Sequence, residues 1–165
     1  LNNPLRLFLG WFTVNHLYPP TLSLIIAYWM IGAFFMTVKR YGEYQRIGDK
    51  ETAVKYRKSF AHYNPYYLIL SMVYYASAFS LFFGIFLIRY RIELLLSVPF
   101  IAGFIPVYMR LAFWEDSPAQ YPEKLYKQRG LMVYSGFCLV LVFALLFIDI
   151  PIIETIFKPV HMPGE

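Results

Sequence analysis

Long apolar segments separated by shorter polar ones are the main feature of this chain. Four apolar runs are each close to the ~20 residues that a helix needs to cross the hydrocarbon core of a bilayer. None of them alternates apolar and polar residues as a half-buried β-strand would. Because lipid cannot hydrogen-bond to the backbone, we predict that each run is a membrane-spanning helix. The runs extend from Thr21 to Val38, Tyr67 to Ile88, Ile92 to Phe113 and Leu131 to Ile150.

A shorter apolar segment, Leu5–Leu17, precedes the first of these runs. It is too short to cross a bilayer by itself. We predict that it is the end of a span whose beginning precedes this sequence; a helix lying in the membrane interface is the alternative. The pattern therefore predicts an all-α fold, a multi-pass transmembrane helical bundle with four complete spans plus a partial N-terminal one. We expect residues 1–165 to form a single transmembrane helical domain.

The composition excludes an ordinary soluble domain. Hydrophobic residues make up 59% of the chain and charged residues only 15%, whereas soluble domains contain about 25% charged residues. The formal net charge of +5 does not indicate a nucleic-acid partner, because the basic residues cluster between the apolar runs, where membrane topology accounts for them. The expected partner of the apolar surface is the lipid bilayer.

Two polar segments, Lys39–Asn64 and Trp114–Gly130, carry most of the basic residues. Two spans separate these segments, so both face the same side of the membrane. By the positive-inside rule, we predict that the loops formed by residues 39–66 and 114–130 are cytoplasmic. The second loop could close over a site at this end of the bundle, or it could be a plain connection.

The end of the first apolar run is the strongest candidate for chemistry. Lys39 and Glu43 are four residues apart and would share one face of a continuing helix, with Arg40 and Arg46 nearby. Lysine and arginine bind phosphate oxygens, and a carboxylate can hold a Mg²⁺ ion that bridges further phosphate oxygens. The cluster could therefore bind a diphosphate. The alternative is that these cations follow from membrane topology alone and that Lys39 and Glu43 form an ordinary surface pair.

The stretch Leu5–Tyr44, which contains YWMIGAFFMTVKRYGEY, resembles the fifth and sixth spans of the UbiA-type membrane-embedded polyprenyl transferases. Around the second acidic motif of this family, an aromatic residue is followed four positions later by lysine and after four more by an acidic residue. Phe35, Lys39 and Glu43 lie at these three positions. Downstream, the sequence SPAQYPEKLYKQRG precedes an apolar run that resembles the ninth span of the family.

The resemblance implies a fold of nine spans around a central cavity, in which this chain would supply spans five to nine as the C-terminal part of a longer protein. It also implies an Mg²⁺-dependent enzyme that transfers a polyprenyl group from a polyprenyl diphosphate to an acceptor. On this basis Lys39, Arg40 and Arg46 would bind the diphosphate, and Glu43 and Asp49 are the candidate metal ligands. No residue is assigned as the catalytic residue.

Two features depart from the family pattern. The position four residues after Glu43, where members often have a second Asp, is Ile47. The first acidic motif of the family is not in this chain, so half of the expected metal–diphosphate site is missing from it.

There are two alternatives to a prenyltransferase. One is a phosphoribosyl transferase acting on polyprenyl phosphate, to which the KRYGE sequence is similar, and the other is a non-catalytic membrane subunit. A small transporter is disfavoured because no charged residue lies near the middle of a span.

Overall fold

The structure of the protein, a computed structural model, describes residues 2–14, 18–56, 58–62, 64–114, 125–150 and 153. Within these residues all regular secondary structure is helical. Two 3₁₀ segments cover Lys58–His62 and Ile92–Ser97. The α-helices are α1 (Asn2–Val14), α2 (Leu22–Ile47), α3 (Lys50–Tyr56), α4 (Pro65–Tyr90), α5 (Val98–Ala112) and α6 (Arg129–Phe147).

Four helical segments are long and apolar enough to cross a bilayer, namely α2, α4, α6 and the continuous segment Ile92–Ala112. They confirm the predicted all-α multi-pass bundle, and we conclude that this is an integral membrane protein. Large apolar side chains remain exposed on the outer faces of the spans, for example Leu139, Val140 and Phe143 on α6. Apolar surface of this extent is typical of a face in contact with lipid.

Helix α1 covers most of the short apolar segment that was predicted to be a partial span, and residues 15–17 of that segment lie outside the described residues. Its 13 residues extend about 20 Å at about 1.5 Å per residue, which is less than the ~30 Å thickness of the hydrocarbon core. The Trp11 indole N–H donates to the carbonyl of Tyr18 at 2.7 Å and thereby fixes the end of α1 against the connection to α2. A cavity of about 550 Å³ lies between the two helices and is lined by Arg6, Leu7, Gly10, Trp11, Val14 and Tyr28.

The first complete span ends later than its hydropathy indicates. The apolar run stops at Val38, but α2 continues through the polar sequence to Ile47. It ends there because Gly48 adopts a left-handed conformation with φ of 70°, and the Gly48 N–H bonds to the carbonyl of Tyr44 at 3.2 Å. Glycine adopts this conformation without the steric penalty of a Cβ atom. The additional turns of α2 carry the predicted site residues beyond the apolar part of the span.

Helices α2 and α4 form the most extensively packed pair in the described structure. Helix α4 begins where the Asn64 side chain accepts the N–H of Tyr66 at 3.0 Å, and Pro65 fills the first position, where no N–H is needed. The main core lies where α2 and α5 end and α4 and α6 begin, which we call the loop end of the bundle. The buried residues of this core are Phe34, Val38, Tyr41, Leu68, Met72, Ala76, Ile105, Tyr108, Leu111, Ala112 and Leu131.

The third span consists of two parts with different pitch. It begins as the 3₁₀ segment Ile92–Ser97 and continues as α5, with Pro99 in the first turn of α5 and Pro106 inside it. Helix α5 approaches α6 closely at Gly103, where a Cβ atom would overlap the hydroxyl of Tyr134. That hydroxyl donates to the carbonyl of Phe100 at 2.9 Å.

At the end of the bundle opposite the loop end, Arg91 joins three segments. Its guanidinium group donates to the carbonyl of Leu146 and pairs with Asp149 beyond α6. Arg91 Nε also lies 3.5 Å from a carboxylate oxygen of Glu93 in the second 3₁₀ segment. Glu93 is only 5% exposed, whereas the Asp149 side chain is 85% exposed. Arg91 therefore links the end of α4 to the second 3₁₀ segment and to the end of α6. It also balances the charge of the buried Glu93 carboxylate.

Candidate functional site

The four charged candidates on α2 all lie in its last three turns, and the structure shows how Glu43 is paired. The prediction placed Lys39 and Glu43 on one helix face. Helix α2 continues through both residues, so they share that face, but Glu43 accepts from Arg40, with 2.7 Å between Arg40 Nη1 and Glu43 Oε2. Glu43 is 8% exposed and Lys39 is half-buried. The ordinary surface pair proposed as an alternative is therefore absent, and a largely buried pair stands one residue away.

The burial of this pair determines its electrostatics. The Arg40 side chain is 18% exposed and that of Glu43 is 10% exposed. Two charges at such depth are stabilised mainly by each other, and removing either one leaves the other without compensation. Arginine carries five N–H groups in a planar fork, so the bond to Glu43 leaves further donors for an anion.

A cleft between α2 and α4 lies beside this pair at the loop end. Its volume is about 340 Å³. The contributing positions on α2 are within one helical turn of each other, and those on α4 are spaced three and four residues apart, so each helix presents one face to the cleft. The lining residues are Met36, Thr37 and Arg40 from α2, and Leu68, Ser71 and Tyr75 from α4. We call this the α2/α4 cleft.

A second cavity at the loop end contains Arg46. It has a volume of about 460 Å³ and is lined by Gln45 and Arg46 from α2 and by Phe113 and Trp114 at the end of α5. Gln45 donates from Nε2 to the hydroxyl of Tyr41 at 2.7 Å. The structure thus places the predicted phosphate-binding residues Arg40 and Arg46 in two different cavities.

Asp49, the second candidate metal ligand, lies beyond the end of α2. Its carboxylate accepts the N–H of Thr52 at 3.0 Å and the hydroxyl of Thr52 at 2.9 Å. These two bonds cap the first turn of α3, as short polar side chains commonly do at helix N-termini. Asp49 is exposed, in contrast to Glu43.

The carboxylates near the loop end suit a limited metal-binding role. Within the described part of the chain, no group of three or more His, Cys, Asp or Glu side chains is placed to hold one ion. Mg²⁺ in phosphate-binding sites is usually held by one or two carboxylates together with phosphate oxygens and water. Glu43 fits such a role as a single buried carboxylate beside the cleft.

Several residues of the site were not predicted from the sequence. The hydroxyl groups of Thr37, Ser71 and Tyr75 lie in apolar runs, and only the pairing of α2 with α4 brings them together. Their signal in the sequence is weak, because Ser71 and Tyr75 are four residues apart on one helix face, as are many pairs in these helices. Residues 115–124 of the second loop, which we expected either to cover the site or to connect two spans, lie outside the described residues.

Comparison of the chain with protein-family models, with curated protein sequences and with solved structures finds no match.

Proposed function

We propose that this chain forms the C-terminal part of a UbiA-type prenyltransferase, which transfers a polyprenyl group from a prenyl diphosphate to an acceptor. The observation that carries the proposal is the buried Arg40–Glu43 pair beside a cleft at the loop end of the bundle. Charged groups at such depth are retained when they are paired, and a cleft beside a buried ion pair is a candidate binding site.

The proposed reaction requires stabilisation of a leaving diphosphate. The allylic C–O bond breaks, its electron pair stays with the diphosphate, and a bond forms between the prenyl carbon and an acceptor atom that loses a proton. Arg40 and Lys39 would stabilise the charge that develops on the diphosphate oxygens. Glu43 would orient Arg40 and serve as a ligand of Mg²⁺, which when bound neutralises part of the diphosphate charge.

The other two predicted residues take lesser roles in this proposal. Arg46 lines the neighbouring cavity between α2 and α5, where it would bind an anionic part of the donor or acceptor. Asp49 would contribute to metal binding only after its bonds to Thr52 are exchanged. The loops of residues 39–66 and 114–130 would face the cytoplasm, where diphosphate substrates and Mg²⁺ are available.

A phosphoribosyl transferase acting on polyprenyl phosphate is the second candidate. The observation that favours it is the presence of three hydroxyl-bearing residues, Thr37, Ser71 and Tyr75, in the α2/α4 cleft beside Arg40. Hydroxyl groups suit a sugar better than they suit a prenyl chain. In this reaction the polyprenyl phosphate is the acceptor, and diphosphate again leaves, from the ribose carbon.

The test uses the product of the complete reading frame, purified in lipid nanodiscs. We expect Mg²⁺-dependent binding of a radiolabelled prenyl diphosphate. Arg40→Gln and Glu43→Gln should weaken this binding, and the turnover that follows, by about a hundredfold, because each removes a charged group from the phosphate site. Arg89→Gln is the matched control, since Arg89 is an exposed arginine at the opposite end of α4.

Parallel assays with phosphoribosyl diphosphate and polyprenyl phosphate distinguish the two enzymes by which substrate releases diphosphate. Unchanged binding and turnover in both α2 variants would contradict a transferase site at the end of α2. Absence of binding and turnover with either donor would favour the non-catalytic membrane subunit.

A further inference from the structure

The cavity between α1 and α2 has mainly apolar walls but also contains a cation. Its volume of about 550 Å³ is within the ~300–1,000 Å³ usual for ligand sites. The contributing positions on α1 are spaced so that they share one face of that helix. The lining residues are Arg6, Leu7, Gly10, Trp11 and Val14 from α1, and Tyr28 from α2. We call this the α1/α2 cavity.

Arg6 and Tyr28 are the polar side chains of this cavity that can still bind a ligand. Among the residues that the structure describes, Arg6 forms no ion pair, and neither Arg6 nor the Tyr28 hydroxyl forms a hydrogen bond. The indole N–H of Trp11 is already donated to the carbonyl of Tyr18. A guanidinium group has only donors, and a phenol can donate one proton. The two groups together therefore favour an anionic ligand.

The cation lies at one end of the cavity and most of the apolar wall extends away from it. Arg6 is eight residues before Val14, the last residue of α1, which corresponds to about 12 Å along the helix. Between them, Gly10 leaves the wall open, since a Cβ atom there would meet nothing within 4 Å. An elongated ligand with an anionic group at one end and a hydrocarbon chain at the other matches this arrangement.

We infer that the α1/α2 cavity binds an anionic membrane phospholipid, with its phosphate on Arg6 and an acyl chain along Trp11 and Val14. The four spans place the protein in a bilayer, where phospholipid is the most abundant anionic amphiphile. A cation without a protein partner is unfavourable in such surroundings, and the bound phosphate compensates its charge. The Tyr28 hydroxyl donates a further hydrogen bond to the headgroup region. The site is separate from the α2/α4 cleft and does not depend on the proposed function.

Trp11 lies in the wall of the cavity, so its fluorescence reports whether lipid occupies the site. We would reconstitute the complete protein into phosphatidylcholine vesicles containing a small fraction of brominated phosphatidylglycerol or brominated phosphatidylcholine. Bromine on the acyl chains quenches a tryptophan that it contacts, and the quenching that is lost in Trp11→Phe is assigned to Trp11. We expect phosphatidylglycerol to bind about fivefold more tightly beside Trp11 than phosphatidylcholine, the usual contribution of one cation near an anionic lipid.

Variants of Arg6 test the source of this preference. Arg6→Gln should bring the preference for phosphatidylglycerol close to one, because the neutral amide does not compensate the charge of the lipid. Arg6→Lys should retain most of the preference, because the charge is kept. Arg89→Gln is the matched control for net charge, since Arg89 is an exposed arginine on α4, and it should leave the preference unchanged.

A space-filling variant tests whether the lipid enters the cavity. Gly10→Leu places a side chain in the open part of the wall and should at least halve the quenching of Trp11 by either brominated lipid. Leucine is favourable inside a helix, so we expect α1 to remain folded, and thermal unfolding midpoints verify this for every variant. Gly136→Leu is the matched control, because a Cβ atom at Gly136 on α6 also meets nothing within 4 Å.

Two results would overturn the inference. Equal quenching of Trp11 by the two brominated lipids, unchanged by Gly10→Leu, would mean that Trp11 has only ordinary contact with the bilayer. The absence of Trp11 quenching by both lipids would mean that another protein segment covers the cavity in the complete protein. The prenyl diphosphate assay decides the proposed function separately, since its variants lie in the α2/α4 cleft.

Discussion

At the scale of single residues, the absence of a side chain at Gly103 lets Tyr134 of α6 reach the backbone of α5. We predict that Gly103→Ala destabilises the protein by about 1–2 kcal/mol, because the new methyl group displaces the Tyr134 hydroxyl and breaks its bond to the Phe100 carbonyl. The measurement is the free energy of unfolding in detergent micelles.

The double variant Gly103→Ala/Tyr134→Phe tests this explanation. Removal of the hydroxyl makes room for the methyl group, so Gly103→Ala should cost much less in the Tyr134→Phe background than in the wild type. Strictly additive effects of the two substitutions would show that the contact at Gly103 is not the cause. Gly130→Ala is a suitable control, since a Cβ atom there meets nothing within 4 Å.

The spacing of the charged residues in the candidate site did not predict their ion-pair partners. The spacing of Lys39 and Glu43 is that of a helical ion pair, yet Glu43 pairs with Arg40 at the i,i+3 position. Both spacings place side chains on neighbouring parts of a helix surface. The choice between them depends on how α2 is rotated against α4 and α5, with which Val38 and Tyr41 of α2 form the main core. The local sequence pattern does not contain that rotation.

At the scale of elements, Arg91 holds the ends of α4 and α6 together. We predict that Arg91→Leu lowers the free energy of unfolding by about 3 kcal/mol, because Glu93 then remains buried without a positive partner. Asp149→Asn should change it by less than about 1 kcal/mol, because exposed ion pairs contribute little. Thermal or denaturant unfolding of the purified protein measures both values.

The double variant Arg91→Leu/Glu93→Gln removes the uncompensated charge and should recover a large part of the lost stability. If Asp149→Asn lowered the free energy of unfolding as much as Arg91→Leu, the exposed Arg91–Asp149 pair, and not the buried Glu93, would account for the stability.

A helix boundary was predictable where residues at the helix end itself determine it. It was not predictable where packing against other segments determines it. The start of α4 follows from Asn64 and Pro65, which the sequence displays directly. The end of α2 lies well beyond the apolar run because Tyr41 and Glu43 are buried by neighbouring segments. Hydropathy predicts the part of a helix that lies in lipid. It does not predict how far the helix continues beyond that part.

At the scale of the whole molecule, the positive-inside rule predicts the orientation in the membrane from the positions of the basic residues. We predict that a cysteine at exposed position 55, introduced as Lys55→Cys on α3, reacts with a membrane-impermeant maleimide in inside-out vesicles and not in intact cells. Tyr90→Cys, at the opposite end of α4, should show the reverse pattern. The background needs Cys138→Ala, which removes the only cysteine of this chain, and labelling of the two sites from the same side would contradict the predicted topology.

The number of spans and the helical class of this molecule were predictable because lipid allows few alternatives for the backbone. The arrangement of the spans was not, since apolar helices in lipid have no hydrophobic force to select neighbours. The pairing of α2 with α4 creates the cleft and brings Thr37 to Ser71. That pairing depends on side-chain fit, for example of Phe34 and Met72, which span-level patterns do not encode.

The change of pitch in the third span increases the length that this span offers to the bilayer. The 15 residues of α5 reach about 22 Å, which is shorter than the ~30 Å hydrocarbon core. The six residues of the preceding 3₁₀ segment add about 12 Å, because each rises ~2.0 Å. Rewinding Ile92–Ser97 into α-helix would shorten the span by about 3 Å. The segment next to Arg91 therefore lets the third span match a bilayer about 3 Å thicker than an α-helix of the same residues would match.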